Sequence, residues 1–256
     1  KNTIYPFNYN DFKALEKLID EKQIGTVKME VSRNQMPENN FLQKIREICT
    51  KKGIVLIFDE CSSGFRQTFG GLHKMFNVNP DIATFGKALG NGYPITAIIG
   101  KKEVMDSARE SFISSTFWGD RIGPVAAIAT LKEMQRLESW KIITNKGKYL
   151  RKEWLKMAKK YELNLKVSGL PSASSFIINS DKFLEYKTLI SQEFLKKNFL
   201  VSNLVLFSVE HKKEIIDEYL YHLDGLFKII SECERGRNIH KLLEVPVCTS
   251  SFKRLN

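Results

Sequence analysis

The sequence is poor in cysteine and lacks the spacings that bind zinc. Its four cysteines, Cys49, Cys61, Cys233 and Cys248, include no C-x-x-C pair, which excludes the common structural zinc patterns. A disulfide framework is not expected in 256 residues of which 43% are hydrophobic, because disulfide-rich domains are typically small chains without such a core. We therefore expect free thiols, a cytoplasmic location and no metal centre.

The sequence also lacks a long apolar run, a signal-peptide pattern and a basic tail. No apolar run approaches the roughly 20 residues that a membrane helix needs. The 40 Lys and Arg outnumber the 29 Asp and Glu, a net charge of +11, but acidic residues are interspersed with the basic ones, as on a solvated helix surface. We therefore expect no nucleic-acid or membrane partner. A non-catalytic basic binding module is a remote alternative.

The pattern of apolar residues predicts an α/β first half. Helices at about 11–22, with Asn10 as N-cap, and at 40–52 alternate with strands at 26–31 and 54–58, which together form a βαβ unit. The continuous apolar run at 54–58 predicts a strand buried on both faces of a parallel sheet. Further short strands are predicted around 82–85, 96–100 and 112–115.

The second half has a different character and predicts a smaller α+β domain. The boundary is expected in a helical stretch near residues 135–140. The predicted elements are helices at 123–138 and 140–161, strands at 163–168 and 173–178, a helix at 184–197, a strand at 199–207 and a helix at 212–234.

Three features with reactive or binding groups follow predicted strands, where open α/β sheets bind ligands. Asp59 ends the buried run, and a carboxylate that stays ionised there needs a cation, such as a protonated heterocyclic nitrogen. Lys87 stands where a strand meets a glycine-rich turn, and a desolvated lysine can act as a nucleophile or Schiff-base amine. Residues 114–116 offer hydroxyls before a helix start, which predicts an anion site.

Residues 56–66 and 80–92, LIFDECSSGFR and PDIATFGKALGNG, resemble the class III aminotransferases, most closely the glutamate-1-semialdehyde aminomutase-like branch. The pair of Asp59 and Lys87, 28 residues apart, is the specific part of the match. The resemblance implies the pyridoxal-phosphate-dependent transferase fold type I. Residues 1–137 would be the C-terminal part of the large, mostly parallel cofactor-binding domain, and 138–256 the small α+β domain.

The resemblance also implies a role for each site residue. Lys87 would form a Schiff base with pyridoxal phosphate and then move protons, while Asp59 would pair with the pyridinium nitrogen. Cys61 takes the place of a Val, Ile or Met that lies against the ring, and Glu30 matches the acidic residue of a Glu-Pro motif. Thr116 would reach the cofactor phosphate of a neighbouring subunit, which implies a homodimer with shared active sites.

The implied reaction is transfer of an amino group from a small-molecule donor to a keto or aldehyde acceptor, such as a sugar-like metabolite of surface-polysaccharide synthesis. The alternative is an intramolecular aminomutase, an isomerase of the glutamate-1-semialdehyde type. The stretch from Trp118 to Arg121 departs from the usual Gly-Asn-Pro, and Arg121 or Trp118 would help to select a larger or anionic substrate. Asn34 or Gln35 would match a polar residue near the cofactor. Because the chain has no initiator Met and no N-terminal phosphate loop, we expect part of a longer enzyme that binds the cofactor weakly alone.

Overall fold

The structure is a computed structural model that describes residues 3–32, 35–116 and 118–249. The chain divides into two compact units, residues Lys1–Lys141 and Ile142–Asn256. None of the described helices combines the length and the apolar character needed to cross a membrane.

The first unit is built on a four-stranded sheet. Its strands are β1 (Thr26–Glu30), β2 (Val55–Asp59), β3 (Ile82–Phe85) and β4 (Ala97–Gly100), in the order β1-β2-β3-β4. The first three strands are parallel and β4 is antiparallel, so the predicted mostly parallel sheet is confirmed. Its helices are α1 (Phe12–Glu21), α2 (Phe41–Lys52), α3 (Lys102–Met105) and α4 (Ile122–Leu137), and α5 (Ser139–Lys160) begins at its end.

The start of α1 differs from the prediction by one residue. Asp11, not Asn10, is the N-cap, and its carboxylate accepts a hydrogen bond of 3.0 Å from the Ala14 N–H. The Asn10 side chain instead bonds the Met36 carbonyl and the Glu38 N–H. The sequence could not separate the two residues, because Asn and Asp are equally good caps.

The strands β1, β2 and β3 are buried on one face only. In β2 the side chains alternate between buried and half-buried, so the prediction that this strand is buried on both faces is wrong for the described chain. The residues buried on the packed face are Val27, Met29, Leu56, Phe58, Ala83 and Phe85. The other face is partly open and carries Lys28, Glu30, Asp59 and Thr84.

The strand predicted at 112–115 does not form. A short 3₁₀ helix spans Asp106–Glu110, and the residues after it pair with no strand. Phe112 is 98% exposed, so the apolar residues that suggested a strand are not buried within the described chain.

The second unit holds a three-stranded antiparallel sheet and the helices α5, α6 (Phe183–Leu195) and α7 (Lys213–Glu234). The strands are β5 (Leu165–Leu170), β6 (Ala173–Ile178) and β7 (Leu204–Leu206). The predicted strand at 199–207 is therefore shorter than expected. Edge-to-face contacts of Phe176 with Trp154 and Phe227, at centroid distances of 4.9 and 5.8 Å, lie in its core.

Asp81 joins three elements of the first unit through its carboxylate. Oδ2 lies 2.8 Å from Arg46 of α2 and accepts a 2.8 Å hydrogen bond from the Leu56 N–H of β2, while Oδ1 lies 2.8 Å from Lys101. Burial alone would raise the pKa of Asp81, but the bonds from Leu56, Lys101 and Arg46 outweigh it and lower the pKa below 3.8. Asp81 therefore favours the folded state when it is ionised.

We expect Asp81→Asn to lower the free energy of unfolding by about 2–3 kcal/mol near neutral pH, since it removes charge-assisted bonds from a nearly buried group. The matched control Asp106→Asn, which breaks an exposed pair with Lys102, should change it by less than about 1 kcal/mol. Because the folded pKa is depressed, the difference from wild type should persist above pH 3.8 and shrink as the pH falls below it. Urea unfolding at several pH values measures this. If Asp81→Asn and Asp106→Asn changed the free energy of unfolding equally, the stabilising role of Asp81 would be contradicted.

Candidate active site

The carboxylate of Asp59 lies at the carboxyl end of β2, on the partly open face of the sheet. Its Oδ1 accepts hydrogen bonds of 3.2 Å from both the Cys61 N–H and the Thr84 hydroxyl of β3. Its Oδ2 lies 3.1 Å from the ammonium of Lys28 on β1. The cation that faces this carboxylate in the structure is therefore Lys28, which the sequence pattern did not single out, whereas the pairing with a heterocyclic nitrogen stays a prediction.

These contacts keep Asp59 ionised. Burial would raise the pKa of Asp59, but the hydrogen bonds from Lys28 and Cys61 outweigh it and hold the pKa below its ordinary value. The side chain is 27% exposed, so a ligand can still approach it. A half-open, ionised carboxylate is suited to pairing with a protonated ring nitrogen.

Lys87 is separated from the end of β3 by one residue, Gly86, and begins a 3₁₀ turn, Lys87–Leu89. Its backbone has a φ of 44°, in the left-handed region that few residues other than glycine occupy, and such strained residues are concentrated at functional sites. The exposed side chain donates a 2.5 Å hydrogen bond from Nζ to the Ser62 hydroxyl. Ser62 is a further residue that the sequence analysis did not single out.

Cys61 follows Asp59 by two residues and contacts β3 through Thr84. Its Sγ is 3.8 Å from the Thr84 hydroxyl. Burial raises the pKa of the Cys61 thiol, and the Asp59 carboxylate adds to the rise. The backbone just before Lys87 passes close to Cys61, because a Cβ built at Gly86 would lie 3.5 Å from this sulfur, at ordinary contact distance. The segment 59–62 thus contacts both Thr84 and Lys87.

Glu60 points away from this face into a buried cluster. It is fully buried and accepts hydrogen bonds from the Ser63 hydroxyl, from the His73 N–H at 3.0 Å and from His73 Nδ1 at 2.8 Å. Burial would raise the pKa of Glu60, but the bonds from His73 and Ser63 hold it below its ordinary value. A Cβ at Gly71 would approach His73 to 2.3 Å, so glycine is needed there. The cluster fixes the turn that presents Asp59 and Cys61 on the opposite side.

Glu30, the remaining predicted residue of the sheet, stands directly opposite Asp59 in the parallel register of β1 and β2. Its side chain is half-buried. Gln35 is exposed, and its backbone carbonyl accepts a hydrogen bond of 2.6 Å from the Ser32 hydroxyl. Asn34 lies outside the described residues.

Thr116, Trp118 and Arg121 are all exposed, in the segment that leads to α4. At the start of this helix the Asp120 carboxylate accepts a hydrogen bond of 3.0 Å from the Ile122 N–H, and the anion site predicted from the hydroxyls of residues 114–116 stays a prediction. A carboxylate at that position disfavours a second anion. The hydroxyl of Thr116 lies six residues before α4 and is therefore separate from the helix start.

An open depression of about 530 Å³ lies beside Lys87. It is lined by Lys87, Gly92, Tyr93, Pro94, Ile95 and Thr96. Within residues 3–32, 35–116 and 118–249, no three His, Cys, Asp or Glu side chains are grouped so that they could hold a metal ion.

Residues 12–191 match the family model described as Aminotransferase class-III. The chain belongs to the class III aminotransferase family. The family predicted from the Asp59 and Lys87 motifs is thereby confirmed, and family membership in an enzyme class argues against the basic binding module.

Two curated relatives are each 34% identical to the chain. One is the 3-aminobutyryl-CoA aminotransferase of Cloacimonas acidaminovorans (strain Evry), matched over 75% of this chain and 48% of that protein. The other is the glutamate-1-semialdehyde 2,1-aminomutase of Methanosphaera stadtmanae, matched over 78% of this chain and 48% of that protein. The chain thus spans about half the length of these relatives.

Two solved structures that contain pyridoxal phosphate (PLP) share the fold. The PLP internal aldimine form of the FumI protein from Sphingopyxis sp. MTA144 superimposes with a TM-score of 0.83 at 22% identity, covering 93% of this chain and 60% of that one. A transaminase with PLP bound gives a TM-score of 0.80 at 22% identity, covering 90% and 58%. The predicted fold type and, at the level of the family, the predicted cofactor are confirmed.

Proposed function

We propose that this chain carries the lysine and aspartate of a pyridoxal-phosphate site and that the enzyme transfers amino groups. The observation that carries the proposal is that the carboxyl ends of β2 and β3 lie side by side. An ionised, half-open carboxylate at Asp59 and an exposed amine at Lys87 are linked through the contacts of Cys61, Ser62 and Thr84. This pair fits a cofactor that has a basic ring nitrogen and an aldehyde.

Pyridoxal phosphate, when bound, supplies an electron sink for charge that develops on the substrate carbon. Asp59 would hold the ring nitrogen protonated, and its bonds from Thr84 and Cys61 fix the orientation of its carboxylate. Lys87 would bind the aldehyde and would then move a proton between the substrate carbon and the cofactor. Ser62 accepts the Lys87 Nζ hydrogen bond and would hold the amine in place before the aldehyde arrives.

The other site assignments are part of the same proposal. Cys61 would lie against the cofactor ring and Glu30 beside it. Thr116 would reach the cofactor phosphate of a second subunit in a homodimer with shared sites, for which its exposed position is suitable. Arg121 or Trp118, which are both exposed, would help to select a larger or anionic substrate. Residues 1–137 would belong to the cofactor-binding domain and 138–256 to the small domain of a cytoplasmic enzyme.

The reaction has two candidate forms. Transfer to a separate keto or aldehyde acceptor, such as a sugar-like metabolite, is supported by the family match and by the relative named an aminotransferase. Intramolecular transfer is supported by several relatives named glutamate-1-semialdehyde 2,1-aminomutase.

Omitting the amino donor separates the two forms. The protein is produced from its natural gene, loaded with pyridoxal phosphate and assayed with candidate acceptors, with and without a donor. For an aminotransferase we expect turnover beyond one equivalent per site only when the donor is present. Sustained product formation from glutamate-1-semialdehyde without any donor would instead establish the aminomutase. The Lys87→Ala variant serves as the blank for both.

A further inference from the structure

The two oxygens of the Asp59 carboxylate have different partners. Oδ1 is held by the Cys61 N–H and the Thr84 hydroxyl, each at 3.2 Å, and both donors belong to the sheet or the turn that follows it. Oδ2 faces the ammonium of Lys28 at 3.1 Å. Oδ1 already accepts two hydrogen bonds. A new donor that approaches from the open side of the sheet would therefore have to bind Oδ2, which Lys28 occupies.

The position of Lys28 allows its ammonium to move away from Asp59. The side chain projects from the open face of β1 and is 60% exposed, whereas Asp59 is 27% exposed. Half-exposed ion pairs of this kind are weak, so water can replace Asp59 as the partner of the Lys28 ammonium at small cost. The backbone donor to Oδ1, by contrast, has no comparable freedom.

The other groups near Asp59 do not offer a competing positive charge. Glu30 lies opposite it in the strand register, the Cys61 thiol has a pKa raised by burial and by Asp59, and Thr84 is neutral. Lys87 donates to Ser62. Lys28 is therefore the cation that neutralises Asp59 among its described contacts.

We propose that Lys28 is a positioning residue that occupies the ring-nitrogen side of Asp59 in the cofactor-free protein and competes with pyridoxal phosphate for Oδ2. The inference rests on the proposed function. Lys28 keeps the carboxylate ionised and oriented while the site is empty, and it moves into solvent when the ring nitrogen binds. The cost of this exchange is a lower cofactor affinity.

Lys28→Met tests the proposal, since it keeps a long apolar stem and removes the charge. Lys28→Arg keeps the charge, and Lys52→Met breaks the remote surface pair with Asp20 as a matched control. The first readout is the titration midpoint of the Asp59 carboxyl in the cofactor-free protein, followed by ¹³C NMR. We expect the midpoint to rise in Lys28→Met and to stay near the wild-type value in Lys28→Arg and Lys52→Met.

The second readout is the pyridoxal phosphate concentration that half-saturates borohydride-trapped modification of Lys87. We expect it to fall roughly two- to fivefold in Lys28→Met, in line with the strength of exposed ion pairs, and to change little in the two controls. An unmoved Asp59 midpoint overturns the proposal, as does an equal or higher half-saturation concentration in Lys28→Met. If Lys87 is modified in none of the proteins, the proposed function fails as well. If Lys87 is modified with the same half-saturation concentration in Lys28→Met as in the wild type, only the competition between Lys28 and the cofactor is refuted.

Discussion

Replacing Lys87 with alanine is expected to abolish covalent binding of the cofactor and to lower the rate of amino transfer at least about 10³-fold. Lys87 would be both the amine that bonds the aldehyde and the group that moves the proton, and a positioned acid–base group alone contributes 10²–10⁴-fold. The measurement combines the visible absorption band of the lysine-bound cofactor with steady-state kinetics on the protein from its natural gene.

Lys102→Ala is the matched control for that variant. Lys102 lies in the same unit but is 78% exposed in its side chain and pairs with Asp106, away from the Asp59 contacts. We expect its absorption band and rate to equal those of the wild type. A Lys87→Ala protein that keeps the band, or that loses less than tenfold in rate, would contradict the role of Lys87.

The second large effect is expected for Asp59→Asn. Asparagine keeps an oxygen for the Thr84 hydroxyl and the Cys61 N–H, but it carries no charge to hold a ring nitrogen protonated. We expect the rate to fall about 10²- to 10³-fold, as when one preorganised electrostatic group is removed from an active site. Lys87 should still bond the cofactor, so its absorption band should remain, with an altered pH dependence.

Two further variants sharpen the Asp59 experiment. Asp59→Glu restores the charge at a displaced position and should recover part of the rate. Asp20→Asn removes an exposed carboxylate that pairs with Lys52 and should leave the rate unchanged. If Asp59→Asn kept a rate within about threefold of wild type, the carboxylate would not be the partner of the ring.

The positions of Asp59 and Lys87 could be predicted because their neighbours encode strands. The apolar runs before each residue form β2 and β3, and parallel pairing brings the two carboxyl ends to one edge. The glycine-rich sequence around Lys87 indicated a tight turn, and the structure forms one with Lys87 in a left-handed conformation.

The partners of these residues could not be predicted from the same patterns. Alternation in β1 places Lys28 and Glu30 on one face, but which lysine reaches across to Asp59 depends on side-chain rotamers. Likewise, the contacts of Ser62 with Lys87 and of His73 with Glu60 depend on irregular turns. Those turns include Phe65 at a φ of 62°, and no periodicity marks them.

The predicted strand at 112–115 failed for a related reason. An apolar pattern shows that residues favour burial, but not what buries them, and Phe112 is exposed in the described chain. The same limit applies to β2, whose second face is only half-buried. Sequence periodicity therefore predicted which residues form the strands of the sheet better than it predicted how far each face of a strand is buried.

Peptide mapping after borohydride reduction with pyridoxal phosphate tests the central claim most directly. Reduction makes the bond between the cofactor and a lysine nitrogen permanent, and mass spectrometry then locates it. At a cofactor concentration near one equivalent, we predict that the modification is found on Lys87 and is lost in Lys87→Ala. Modification spread over the exposed lysines, with Lys87 no more labelled than Lys102, would contradict the assignment of Lys87 and the proposed pyridoxal-phosphate site.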